Sequence, residues 1–239
     1  MDLVGCGCMG FSFTHKYKKA IISFFEFVTE LDNIGVLSYQ DLQTRIANKG
    51  ISDESEIRMI VPFLVKSQII NEKNCLKTST GTRIRQLVID EHFFTEQGIE
   101  FIKILKMEIN KDISLNKEII FRIENLYHKA GMVLFLSLCK SDDYIYRELF
   151  FFLKKYKSID KNEFYILTNS IEKSKKNELE ENILKYRNGS IGELKIIRNV
   201  NDWQYLTGTL QQFGIIEEDE NKSFILTNDA DELEVENNE

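Results

Sequence analysis

The sequence predicts a mainly α fold with small β-hairpins, built as two tandem winged helix-turn-helix modules. Three observations carry this expectation. Two segments match after a shift of 146 residues. Each reads as a helix followed by a hairpin, and each is preceded by helix, short strand and helix in the same order. The first copy runs Ile57 to Leu64 and then Ser67 to Asn74; the second runs Trp203 to Leu210 and then Phe213 to Glu220.

Residues 1–15 read as a flexible N-terminus. Module one spans 16–110. Lys18 to Leu31 carries apolar residues at 21, 22, 24, 25, 27, 28 and 31, a helix with a wide buried face. After Gly35-Val36-Leu37, Ser38 is an N-cap with Asp41 three residues on, opening a short helix to Asn48. Apolar positions 57, 60, 61 and 64 give the third helix its inner stripe. A hairpin follows, with Ile69-Ile70 as one strand and Cys75 to Thr78 as the other. Thr95 to Phe101 reads as the exit from that wing into a trailing helix.

A helical connector over 111–143 includes the apolar run Met132 to Leu138, which would not stay exposed. Module two spans 144–228. Its first helix starts at Tyr146, Ser158-Ile159 is the short strand, and Asp160 caps a helix with Glu163 three residues on. Residues 171–188 are a charged insertion, read as one helix with Leu179, Ile183 and Tyr186 as a thin stripe. Gly214 suits a left-handed C-cap, and Ser223 to Thr227 returns as the second strand of the wing. From 229 to 239 six acids and no base predict a disordered tail.

A chain of 239 residues with 43% hydrophobic and 11% aromatic content can fill a real core. That composition excludes wholesale disorder, collagen-like repeats and a disulfide-stapled miniprotein. Four Cys give no pairing framework, and Cys6-x-Cys8 has no second pair near it, so a zinc knuckle is disfavoured and a reducing compartment is expected. No apolar run approaches the ~18 residues that span a bilayer. The start also lacks a basic n-region. The expectation is a soluble cytoplasmic protein with no membrane association.

The net charge of −7 is uneven. Residues 101–198 hold 19 basic and 14 acidic groups, whereas 199–239 hold 1 and 11. Little catalytic chemistry stands out. His15, His92 and His128 are scattered without metal-ligand spacing, and the early glycines precede no phosphate-binding strand–helix pattern. Glu193-Leu194-Lys195 has the spacing that metal-dependent nucleases use, but such a site needs a second carboxylate on a neighbouring strand. Glu193 and Lys195 are therefore weak catalytic candidates, and no metal or cofactor is expected.

Winged helices bind duplex DNA by setting a third helix in the major groove and a wing on phosphate. The candidate contacts in module one are Arg58, Lys66, Lys73, Lys77, Arg83 and Arg85. The basic middle adds Lys154, Lys155, Lys173, Lys175, Lys176, Lys185, Arg187, Lys195 and Arg198. Wing two, Glu217-Glu218-Asp219-Glu220, repels phosphate.

At Tyr146 to Lys155, Ser158 to Leu167, Asn182 to Arg187 and Leu210 to Thr227, the chain resembles the DNA-recognition half of certain type IIS restriction endonucleases. The resemblance covers about 144–228, and 16–110 only in fold. It implies a recognition protein or subunit of a prokaryotic restriction or defence system. No nuclease domain follows in this chain, so cleavage would belong to a partner. Small acidic tandem winged-helix proteins also resemble the accessory subunits of bacterial chromosome-organising complexes, which dimerise and hold a kleisin. That resemblance implies protein binding, an ATPase-containing assembly and a homodimer.

Overall fold

The computed structural model describes residues 1–7, 11–31, 34–81, 83–112, 116–173 and 175–236, with Lys176 described by its backbone alone. Cys8, Gly10 and the last three residues of the expected tail lie outside the described residues. The described residues are mainly helical with three small sheets. In chain order the elements are β1 (Asp2–Val4), α1 (His15–Glu30), β2 (Gly35–Ser38), α2 (Tyr39–Asn48), α3 (Glu54–Lys66), β3 (Cys75–Lys77), β4 (Ile84–Ile89), α4 (Glu96–Ile109) and α5 (Lys117–Lys140). There follow α6 (Tyr144–Tyr156), α7 (Lys161–Glu172), α8 (Lys176–Arg187), β5 (Lys195–Arg198), α9 (Asp202–Gln212), β6 (Ile216–Glu218), β7 (Phe224–Leu226) and α10 (Asn228–Asp231). They divide into two compact units, one of residues 13–137 and one of residues 1–12 with 138–239. The expected connector 111–143 is therefore not a separate piece, because the division falls inside α5.

In the 13–137 unit, α1, α3 and α4 bury Ile21, Phe24, Ile57, Ile60, Val61, Leu64, Phe101 and Leu105 in one core. Ser38 and Asp53 cap α2 and α3 by accepting from the amides of Asp41 and Glu56. The three-stranded sheet has order β2-β4-β3, antiparallel throughout, with Leu37 opposite Leu87 and Cys75 opposite Leu87 on its two sides. This corrects the expected hairpin. Its strands are Cys75–Lys77 and Ile84–Ile89, while Ile70 makes only a bridge to Phe94. The longer strand wins because β4 satisfies backbone groups on both edges, which a three-residue pair at 69–78 could not. Lys18 is buried, 3.6 Å from Glu108 and over the Tyr127 ring, and burial pushes its pKa down despite that carboxylate.

The other unit packs α6, α7 and α9 around Leu149, Phe150, Leu153, Phe164, Ile166, Leu206, Leu210 and Phe213. Helix α7 opens with a full capping box between Asp160 and Glu163. The expected strand at 157–159 is reduced to one antiparallel bridge, Ile159 to Phe224, and β6 pairs with β7 as the hairpin. Helix α8 lies within the inserted stretch 171–188.

Two further findings differ from expectation. Residues 2–4, placed in a flexible stretch, form β1 parallel to β5, with Leu3 fully buried and Phe11 nearly so. Backbone pairing and apolar burial hold them in place. The first residues of the expected tail form α10, and Ala230 is fully buried.

Both units repeat one piece of cap geometry residue for residue. At the end of α3 the amides of Gln68 and Ile69 bond back to Val65 and Leu64, and at the end of α9 those of Gly214 and Ile215 bond to Gln211 and Leu210. Gln68 and Gly214 both take left-handed conformations, φ 59 and 67. After each hairpin a threonine returns to the same spot. Thr95 donates its amide to the Ile69 carbonyl and its hydroxyl to that of Gln68; Thr227 does the same to Ile215 and Gly214. Each threonine then caps the next helix, accepting from Gly98 or Ala230.

Buried Cys75 and Cys139 lie in different units, and burial pushes each thiol from 9.0 up to about 12. A pKa raised in the folded state contributes stability that is complete below pH 9.0 and is lost as pH rises toward 12. Urea midpoints measured at pH 8 and pH 10.5 are expected to fall with pH. The double variant Cys75→Ala, Cys139→Ala is expected to show a smaller fall. Equal falls in the two proteins would show that thiol ionisation is not the cause.

Candidate nucleic-acid interface

The hairpin β3–β4 gathers four of the six module-one candidates. Lys73 is exposed in the turn before β3, Lys77 ends β3 opposite Ile84, and Arg83 and Arg85 flank that position on the other strand. The tip closes with the Thr78 amide on the Arg83 carbonyl and the Gly81 amide on the Thr78 carbonyl. Gly81 takes φ +70 there with open space around it. The Thr78 and Thr80 hydroxyls lie 3.0 Å apart at the tip. From sequence Ser79-Thr80-Gly81 reads as a join leading out of the hairpin; the structure places it at the hairpin's tip instead. Lys77 meets Glu72 at 2.6 Å, but both side chains are solvent-exposed, and such pairs exchange partners cheaply.

Helix α3 opens with two exposed acids, Asp53 as its N-cap and Glu54 in its first turn. Asp53 is spent as the N-cap, its carboxyl held below the usual range by the Ser55 hydroxyl and the Glu56 amide. Glu54 accepts from Thr44. Glu56 points inward; burial pushes its pKa up, but hydrogen bonds from Lys16 and Ser52 outweigh this and leave it lowered. Asp53, Glu54, Ser55 and Arg58 are exposed, with Lys66 half-buried at the end of the helix. Tyr39 of α2 bonds the Ile57 carbonyl of α3.

The basic middle carries exposed ion pairs of the same kind as Lys77 with Glu72. Lys154 pairs with Asp231 at 3.1 Å, Lys155 with Glu180 at 3.0 Å, Lys175 with Glu178 at 2.9 Å and Lys185 with Glu181 at 2.5 Å. Arg187 pairs with buried Glu163 at 2.5 Å, reaches the Ser158 carbonyl and stacks over Tyr156. It is a tie between α8 and the start of α7. Lys173 reaches the Asp2 carbonyl at 3.5 Å, and the Lys176 side chain lies outside the described residues. Lys195 and Arg198 are exposed on β5 and have no ion-pair partner among the described residues.

The helix that repeats α3 is covered. Asp202, buried at the start of α9, accepts from the Gly7 amide at 2.7 Å and the Cys6 thiol at 3.6 Å. The Asn199 side chain donates to the Gly5 carbonyl, and a Cβ on Gly208 would meet Ser12 at 2.9 Å. Residues 5–7 and Ser12 thus lie against the first two turns of α9. Exposed Glu217, Glu218 and Glu220 mark the following hairpin. None of this occlusion was legible in the sequence.

Glu193 and Lys195 stand just before and at the start of β5, whose one pairing partner among the described residues is β1. No group of three or more possible metal ligands occurs among the described residues. No described helix is long and apolar enough to cross a membrane. No family model matches the chain, and no curated protein or solved structure matches it.

Proposed function

We propose that this chain is a duplex-DNA-binding protein whose 13–137 unit makes the contact as a winged helix, with Lys77, Arg83 and Arg85 of the wing on phosphate and Arg58 on the third helix. The observation that carries the reading is the clustering of Lys77, Arg83 and Arg85 with the tip hydroxyls on one exposed hairpin. Such a chain serves as the recognition component of a prokaryotic restriction or defence system, with cleavage on a separate chain. The second unit follows the same helix–hairpin plan, but its covered α9 and acidic hairpin take it out of the DNA contact.

Anisotropy titrations of a fluorescent duplex across a salt series test this. Replacing Lys77, Arg83 and Arg85 together by Glu is expected to weaken binding by more than about tenfold and to flatten the log K against log salt slope by about 2–3. Replacing Lys155 and Lys185 by Ala is expected to change little, since they lie on α6 and α8, outside the proposed wing contact. Unchanged affinity in the wing variant would sink the reading.

A second reading, a protein-interaction subunit, is favoured by the acidic hairpin Glu217 to Glu220. Absence of any salt-dependent DNA binding by the unaltered chain would turn the choice to it.

A further inference from the structure

Strand β5 has one free edge. Its sheet contains β1 and β5 alone among the described residues, so the backbone groups of β5 that face away from β1 have no ladder. Around that edge Ile197 and Val200 are 54% and 52% exposed, and Lys195 and Arg198 carry charges without an ion-pair partner. Asp2 is the register neighbour of Lys195 across the sheet, but no ion pair joins them among the described residues. Proteins usually blunt such an edge or fill it.

The chain carries a segment of complementary pattern. Glu232-Leu233-Glu234-Val235-Glu236 alternates acid and aliphatic residue with the period of a strand. Its three glutamates are exposed, and it makes no strand pairing in its own copy. Its start is fixed there, since Ala230 is buried and Asp231 is held by Lys154.

We propose that the free edge of β5 takes residues 232–236 of a second copy, in a reciprocal exchange that makes a two-fold dimer. Backbone pairing supplies the attraction, and the glutamates face Lys195 and Arg198 while the aliphatic side chains cover Ile197 or Val200. The inference does not depend on the DNA reading.

The test is the mass of the full chain in solution over a concentration series, by light scattering and sedimentation. The expected result is a weak dimer with Kd on the order of 10–100 µM, as suits an interface below standard size. One variant carries Lys195→Glu and Arg198→Glu; another carries Glu232→Lys, Glu234→Lys and Glu236→Lys. Each alone is expected to dissociate at least about tenfold more readily through like-charge contact. Mixed in equal amounts they are expected to regain the dimer, because each edge then meets a tail of opposite sign. Recovery in the mixture excludes misfolding as the cause of the loss. A monomer at every concentration, or a dimer insensitive to both variants, overturns the proposal. So does a chain lacking residues 232–239 that dimerises as before. A monomer whose β5 amides lose exchange protection on that truncation would place the segment in its own copy, and overturns it equally.

Discussion

Gly98→Ala is expected to destabilise the 13–137 unit by about 3 kcal/mol or more, although it adds a single methyl group to a helix. Ala is the better helix former by up to about 1 kcal/mol, so propensity alone predicts the opposite sign. The decisive fact is the neighbour. A Cβ on Gly98 would lie 2.7 Å from the Cα of Ile69 and 2.9 Å from its carbonyl carbon, closer still to the oxygen. Those are backbone atoms that cannot rotate away. The same carbonyl accepts the Thr95 amide, and the Ile69 amide closes α3, so any retreat breaks the junction of α3, hairpin and α4. Hydrogen exchange resolved by segment is the measurement. Protection is expected to fall across α1, α3 and α4, and unchanged protection there would show that the junction yields more easily than its contacts imply.

Gly5→Ala is expected to cost about 2–3 kcal/mol in the other unit, through overpacking and the loss of a buried hydrogen bond. Its Cβ would meet the Asp202 carboxylate at 2.5 Å and the Asn199 carbonyl at 2.7 Å. Asp202 could move, but it would abandon the Gly7 amide. The Asn199 carbonyl is tied to the Tyr165 hydroxyl at 3.3 Å, and that hydroxyl also donates to Val200 at 2.7 Å. Trp203, the one tryptophan of the chain, packs on Phe164 and Phe224 next to this knot. Its fluorescence is therefore expected to report a lower denaturant midpoint in Gly5→Ala. An unchanged midpoint would mean that residues 1–7 are dispensable to the unit.

What the sequence revealed and what it hid divide along range. The ends of α3 and α9 were legible because their caps are local: residues 64–69 and 210–215 carry the whole geometry. Ser38 and Asp160 were legible as N-caps for the same reason. The Thr95 to Phe101 stretch was visible as a join. Its physical reason, a threonine that both closes on Ile69 and caps α4, needed the fold. The first hairpin was misplaced because Ile69-Ile70 looks as strand-like as Leu87-Val88-Ile89, and only pairing on two edges favours the latter. The β1–β5 pair was hidden because two strands of three and four residues, with no turn between them, leave no periodic trace. Charge density misled in a similar way. The lysines from 154 to 185 are dense in sequence, yet Lys175 and Lys185 meet acids one helical turn away, and Lys154 and Lys155 meet Asp231 and Glu180 of later elements.

The nesting of the chain has a consequence for synthesis. Residues 1–12 belong with 138–239, while 13–137 is continuous. On the ribosome the continuous unit has all its residues early, whereas β1 waits for β5, with the whole first unit emerging between them. Closing so long a loop is entropically dearer and slower than any contact within 13–137. The 13–137 unit can therefore be complete before β1 finds β5.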